Sequence, residues 1–264
     1  MDRYEERLKT STQQNLSLKG RVNSYVERSR DMPVLIVGDL HGEMDSINFI
    51  LKNFELEKNL LIFLGDYVDR GKESLGLLSV LFELQASRPE EVILLRGNHE
   101  DWRMNLRYGF ARELYEKGED LLYQPLLDWY ESLPLLTRIG EIMALHGGPP
   151  FPLPGSKDEL EKLTFKDDRA MHILWSDPED DSYFPRGGGT RSFNRQDLDA
   201  FLSLAHCQYM VRGHQYVPSR GYKITFGKCV TLFTATYGMG WPRSVMYLPE
   251  GPILDNLEQY ILTF

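Results

Sequence analysis

Positive charge is in short supply. The 264 residues carry 30 Lys and Arg against 39 Asp and Glu, a formal charge of −9. A protein that grips nucleic acid or an anionic bilayer chiefly by electrostatics needs clustered cations, so both classes of partner are excluded. Any phosphate group must be met by a few placed residues.

Long hydrophobic runs are missing as well. The N-terminal stretch MDRYEERLKTSTQQNLSLKG is polar with mixed charge, so neither a secretory leader nor a membrane span is expected, and the chain is expected in the cytoplasm. Cysteine is scarce. Cys207 and Cys229 both sit inside apolar stretches, and in a reducing compartment they read as buried thiols rather than a disulfide. Internal repeats, low-complexity tracts and a linker that would split the chain are absent too.

What is present is an alternation. The 42% apolar content suits an ordinary globular core. Residues 1–31 read as an N-terminal arm or peripheral helix, with a weak helical pattern around Tyr25 and Val26, and 32–264 as a single catalytic domain. From Met32 onward, short aliphatic runs recur: Val34 to Val37, Leu60 to Leu64, Val92 to Leu95, Ile142 to Leu145, Tyr209 to Val211 and Val230 to Phe233. Such runs suit strands buried on both faces. Between them, Ile47, Ile50, Leu51 and Phe54, and then Leu75, Leu78, Leu81 and Phe82, keep helical spacing. A further helix is expected over Asn194 to Ala205, with Asn194 as N-cap and Asp197 in the first turn. The fold class is therefore α/β.

The segment after each run carries the chemistry. Val37 is followed by GDLHG with Asp39 and His41; Leu64 by GDYVDRG with Asp66, Asp69 and Arg70; Leu95 by RGNHE with Asn98 and His99. Leu145 is followed by HGG with His146, and Val211 by RGH with His214. In α/β sheets the loops beyond the carboxyl ends of strands form the ligand crevice, so the five loops are expected to converge. Four of the six histidines lie in them, while His172 and His206 do not and read as ordinary packed or surface residues. The donors are all nitrogen and oxygen, which favours Mn²⁺, Zn²⁺ or iron over copper and excludes an iron–sulfur cluster. Six donors exceed what one ion needs. Two ions roughly 3.5–4 Å apart, sharing one carboxylate, would clamp the attacking and leaving oxygens of a phosphoryl displacement.

These five motifs resemble the signatures of the PPP-type serine/threonine protein phosphatases, in the calcineurin-like metallophosphoesterase superfamily. RYGFARELYEK, WYESLPLLTRIGEIMALHGG and WSDP at 175–178 extend the resemblance from about Val34 to Tyr237. It implies a central β-sandwich of two mixed sheets flanked by helices. It also implies two divalent metal ions, with Mn²⁺ the first choice and iron or zinc the alternatives. Asp39, His41 and Asp66 would hold the first ion; Asp66, Asn98, His146 and His214 the second, with Asp66 as the bridge. Arg70 and Arg186, joined by Asn98, would bind the phosphoryl oxygens, and His99 would be the general acid, oriented by Asp69. Two departures stand out. The family's glycine-valine-serine stretch is here RGGGTRSF, which leaves Arg191 as the other candidate for the second arginine. Its proline-asparagine-tyrosine-cysteine loop is here TATYGMG, which keeps Tyr237 for substrate contact and loses the asparagine and cysteine.

The chemistry explains the residues. A phosphate monoester dianion repels an anionic nucleophile and its alkoxide leaves poorly, so positive charge, a nucleophile and a proton are all required. Water held between two ions is acidic enough to be hydroxide at neutral pH, and in-line attack by that bridging hydroxide is the expected step. The planar forks of Arg70 and Arg186 match the equatorial oxygens of the transition state. His99 protonates the departing serine or threonine oxygen. Phosphorylated proteins or peptides are the expected substrates. The nearest alternative is a dinucleoside polyphosphate hydrolase or phosphodiesterase of the same superfamily, disfavoured by the Asp-Arg-Gly of GDYVDRG, by Glu100 and by WSDP. A non-catalytic scaffold would have lost a ligand or the acid, and none is lost. The acidic run from Asp177 to Asp181 reads as a solvated loop.

Overall fold

The computed structural model describes residues 3–179, 191–253 and 256–264. The chain opens with helix α1 (Arg3–Ser17), strands β1 (Arg21–Val22), β2 (Tyr25–Arg28) and β3 (Val34–Val37), then α2 (Met44–Asn53), β4 (Leu60–Phe63), α3 (Ser74–Ser87) and β5 (Val92–Leu94). Three helices follow, α4 (Trp102–Tyr108), α5 (Phe110–Lys117) and α6 (Tyr123–Ser132), before strands β6 (Leu136–Ile139) and β7 (Ile142–Leu145). Helices α7 (Lys157–Glu161), α8 (Ala170–Trp175) and α9 (Arg195–Leu204) precede β8 (Tyr209–Arg212), β9 (Tyr222–Thr225), β10 (Cys229–Leu232), β11 (Ser244–Leu248) and β12 (Ile261–Thr263).

The strands form two sheets, β1-β2-β6-β7-β8-β10-β9 and β12-β11-β3-β4-β5. Both are mixed: β3, β4 and β5 run parallel to one another, as do β7, β8 and β10, while β11 lies antiparallel to β3 and β6 to β7. Alternation of side chains along each strand sorts the aliphatic runs into layers. Val34, Ile36, Leu60, Ile62 and Ile93 pack with Val26, Ile142, Ala144, Val211 and Val230 in a core between the sheets. Leu35, Val37, Leu61 and Phe63 face the other way, onto Ile47, Leu78, Leu81 and Trp129 from the helices. The outer face of the larger sheet buries Met143, Leu145 and Met210 against Leu198 and Phe201 of α9. The result is the expected sandwich of two mixed sheets flanked by helices, and each fully buried Leu, Ile or Phe adds about 1.5–3 kcal/mol of transfer free energy.

Local signals account for much of this. Asn194 caps α9, accepting from the backbone N–H groups of Gln196 and Asp197, while the Asp197 carboxylate accepts from the N–H of Asn194. That reciprocal capping box satisfies donors a helix start otherwise leaves open. The helical spacing read around Tyr25 and Val26 is overturned. Those residues form β2, paired in parallel with β6, and point to opposite faces of the larger sheet, where both are buried. Two adjacent apolar residues fit a strand buried on both sides as well as a helix, and sheet pairing decides between them. The helix of this segment lies earlier, at α1. It is held by buried polar contacts, Asn15 Nδ2 to Ser132 Oγ and Trp129 Nε1 to Ser11 Oγ.

Candidate metal centre and active site

All five loops leave their strands on one side of the sandwich, three from the smaller sheet and two from the larger. The turns are tight enough that the functional residues themselves take left-handed backbone: φ is 44° at His41, 55° at Asp66, 71° at Asp69, 64° at Arg70 and 69° at His214. Such conformations are uncommon for residues with a Cβ, and they persist where the surroundings fix them. Two glycines show how crowded the site is. A Cβ on Gly97 would collide with Asp66 Oδ1, and one on Gly213 with Asp39 Oδ1.

Asp66 sits at the centre. Its Oδ2 lies 3.5 Å from His41 Nε2 and its Oδ1 3.4 Å from His146 Nε2. The donor atoms of His41, Asp66 and His99 lie within 4.8 Å of one another, and so do those of Asp66, His146 and His214. Asn98 Oδ1 is 2.9 Å from His146 Nε2 and 2.8 Å from His214 Nδ1. Asp39 accepts from the backbone N–H of His214 through Oδ1, whereas its Oδ2 is buried with no hydrogen-bond partner and lies 3.8 Å from His41 Nε2. His41 Nδ1 faces the carbonyl of Val68 and His146 Nδ1 that of Leu64, each at 2.9 Å. A carbonyl can only accept, so both rings hold a proton on Nδ1, which leaves Nε2 as the atom each would offer a cation.

This arrangement fits a pair of divalent cations. The donors are oxygen and nitrogen, one carboxylate is shared between two groups of donors, and a buried carboxylate oxygen is left open. Electrostatics points the same way. Burial, with Asp66 adding and His146 opposing, pushes the Asp39 carboxyl up to about 6, and burial pushes His41 down to about 3. Burial also works against protonation of His146, yet Asp66 and Asp39 outweigh it and raise that ring to about 9. Bound cations would favour the anionic carboxylates and the neutral imidazoles that ligation requires.

The His99–Asp69 pair stands beside this cluster. His99 Nδ1 is 2.7 Å from Asp69 Oδ2. Burial opposes the charged ring, but Asp66 and Asp69 prevail, so the pKa of His99 lies above that of ordinary imidazole. Asp69 is itself fixed, because its Oδ1 accepts from the backbone N–H of Phe110 and its Oδ2 from Asn105 Nδ2, both at 3.0 Å. Arg70 is exposed at the mouth, its guanidinium 4.6 Å from the Tyr108 ring and 5.1 Å from the Tyr237 ring. Those rings pack in turn on His99 and His41 at 5.1 and 5.3 Å. Arg186 lies outside the described residues. The Arg191 guanidinium is occupied elsewhere, paired with both oxygens of Asp197 at 3.1 and 3.2 Å and stacked 3.8 Å from the Phe151 ring.

Several supporting residues were given no role in the site by the sequence reading. Glu100 is wholly buried and accepts from the backbone N–H groups of Asp66, Tyr67 and Gly97 at 2.8–2.9 Å, holding two of the loops together. Burial, reinforced by Asp66, lifts its carboxyl to about 7. Asn105 joins Asp69 to the His99 carbonyl and accepts from the Tyr130 hydroxyl at 2.8 Å. Arg212 is fully buried. It donates to the carbonyls of Gly147 and Ser176 and to Asp177 Oδ1, the last at 2.9 Å. Asp177 therefore belongs to a buried ion pair rather than to a solvated loop, while Asp180 and Asp181 lie outside the described residues. The only advance signal was position: Arg212 closes β8 immediately before Gly213 and His214. His172 packs edge-on to Phe151 and His206 is exposed beyond α9, both away from the cluster. Cys207 and Cys229 are free thiols.

Residues 32–218 match the family described as calcineurin-like phosphoesterase. The chain belongs to that family. Within it, this phosphoesterase is a member of the serine/threonine protein phosphatases. It is 35% identical over 218 residues to the serine/threonine-protein phosphatase 4 catalytic subunit of Kluyveromyces lactis, covering 78% of this chain and 70% of that protein. With the same subunit from Saccharomyces cerevisiae it shares 34% identity, covering 87% and 76%. The solved structure of a protein serine/threonine phosphatase from Saccharomyces cerevisiae superposes with a TM-score of 0.85 at 24% identity, covering 99% of this phosphoesterase and 88% of that chain. That structure shares the fold. Among the described residues, no helix is long and apolar enough to cross a membrane.

Proposed function

We propose that this chain hydrolyses phosphoserine and phosphothreonine monoesters of proteins at a two-metal centre. The observation that carries this reading is Asp66, whose two oxygens face donor groups on opposite sides, with the His99–Asp69 pair at its edge. Asp39, His41 and Asp66 would hold one ion, and Asp66, Asn98, His146 and His214 the other, with Mn²⁺ the first choice and iron or zinc the alternatives. Two divalent ions, when bound, supply Lewis acidity toward the phosphoryl oxygens and make water nucleophilic at neutral pH.

The chain's own residues supply the rest. Arg70, braced between two tyrosine rings, offers a planar fork to the equatorial oxygens, and Asn98 and Arg186 complete that grip. Asp69 accepts from His99 Nδ1, which leaves Nε2 as the atom that carries the proton to the departing serine or threonine oxygen. Asn105 and the Phe110 amide keep Asp69 from rotating, so the acid is pre-oriented rather than recruited. Tyr237 borders Arg70, which supports a contact with the substrate beside the phosphate. The two free thiols are compatible with the cytoplasm, where we place the activity.

The test compares a phosphoserine peptide with diadenosine tetraphosphate on metal-stripped protein reloaded with Mn²⁺, Zn²⁺, Fe²⁺ or Mg²⁺. Metal-dependent release of phosphate from the peptide supports the proposal. Preferential cleavage of the dinucleotide would replace it with the polyphosphate hydrolase reading, and no hydrolysis of either would leave a scaffold.

A further inference from the structure

The rim beyond Tyr237 carries a feature the chemistry does not use. Tyr216, two residues past His214, stacks on Trp241 with ring centroids 4.8 Å apart and planes 18° from parallel. Both rings pack against Tyr237, at 6.3 and 6.4 Å, and Tyr216 also meets Phe233 edge-on at 6.2 Å. Despite these neighbours Tyr216 is 47% exposed, and Met239, on the loop that carries Tyr237 and Trp241, 64%.

The loop holding Trp241 is pinned in place. Both carboxylate oxygens of Glu43 accept from the backbone N–H of Thr236 at 2.8 Å, and the Thr236 hydroxyl and carbonyl are used in turn by the N–H groups of Gly238 and Met239. A pre-ordered aromatic pair binds without the entropy cost of assembling it. Tyr216 also lines an open hollow of about 940 Å³ together with Val217, Pro218 and Ile224. The charged residues of that hollow are largely matched in pairs: Asp177 is paired to Arg212 and Glu258 to Arg220, with Lys223 beside them. An exposed, planar aromatic face at the edge of that hollow suits a flat aromatic group.

We infer that the Tyr216–Trp241 pair is a substrate subsite that takes an aromatic side chain of the phosphoprotein, near the phosphorylated residue. The inference rests on the protein phosphatase reading and deepens it. Arg70 lies over the Tyr237 ring, so a polypeptide whose phosphate reaches the arginine has that ring beside it. The pair stands one ring-to-ring step farther out, about two residues of extended chain at roughly 3.3–3.6 Å each. The occupant is the substrate chain itself, since the rings are continuous with the catalytic cleft through Tyr237.

The experiment uses one phosphoserine peptide in which Phe, Leu or Ala is placed in turn at each position from four before to four after the phosphoserine. At one or two positions on one side, Phe should raise kcat/KM over Ala by about 3- to 10-fold, mainly through KM, and more than Leu does. In Tyr216→Leu and Trp241→Leu that Phe-to-Ala ratio should fall toward one, and turnover of the Ala peptide by each variant reports that fold and chemistry persist. A ratio near one at every position in the wild-type protein, or a ratio unchanged in both variants, overturns the subsite while leaving the phosphatase reading intact. Failure to cleave any of the peptides, while diadenosine tetraphosphate is cleaved, overturns that reading and the subsite with it.

Discussion

At the floor of the site Asp39, Asp69 and His146 are wholly buried, and Asp66 and His99 nearly so, whereas at the rim Tyr216, Met239 and Arg220 lie open to water. The floor is made of strand-end loops whose polar groups, Asp39 Oδ2 apart, are held by fixed partners: the Phe110 amide on Asp69, the His214 amide on Asp39, and three amides on Glu100. The rim is made of rings and long side chains that touch one another or face solvent. Buried polar groups without partners cost several kcal/mol, so the floor tolerates little change. The rim tolerates more.

Substitutions at the two levels should therefore differ in kind. The largest effect is expected from His99→Ala, which should lower turnover of an alkyl phosphate by about 10²–10⁴-fold and that of an aryl phosphate, whose leaving group scarcely needs a proton, far less. Equal losses on the two substrates would remove the acid role. Arg212→Met should destabilise the fold by about 3–5 kcal/mol in denaturant unfolding, because a buried ion pair loses its cation and the Gly147 and Ser176 carbonyls lose their donor; a loss under about 1 kcal/mol would mean that this pair holds nothing together. Asn105→Ala should cost about 10–100-fold in kcat on the alkyl phosphate and less on the aryl one, since Asp69 loses a fixed donor while the metal ligands keep theirs. A uniform loss on both substrates would mark Asn105 as a structural residue only. At the rim, Arg220→Ala breaks an ion pair whose side chains are 66% and 52% exposed, and the change in stability should stay below about 1 kcal/mol. A larger loss would erase the contrast between floor and rim.

The same contrast governs what could be read in advance. Val34–Val37 and Ile142–Leu145 appear as strands over the expected residues, because a short aliphatic run closed by Gly-Asp or His-Gly is a local signal. The five loops, their ligand types and the Asn194 cap are local in the same sense. What stayed hidden depends on partners remote in the chain. Arg212 and Asp177 are 35 residues apart and Asn105 and Asp69 36, and no spacing rule links them. Pairing with β6 turned Tyr25 and Val26 from an expected helix into a strand. Strands β9, β11 and β12 were not anticipated either, since Tyr222–Thr225 and Ile261–Thr263 are half exposed and lack an unbroken aliphatic run. Left-handed backbone fell on His41, Asp66 and His214 as well as on Gly42 and Gly65, a consequence of five loops meeting at one point that no single loop announces.

The claim beneath all of this is that Asp66 bridges two ions. Elemental analysis of metal-loaded protein, wild type beside Asp66→Asn, tests it most directly, because a neutral amide cannot hold two cations as a carboxylate does. The account predicts two ions per chain in the wild type and at most one in the variant. Two ions kept by the variant, or fewer than two in the wild type, would contradict it.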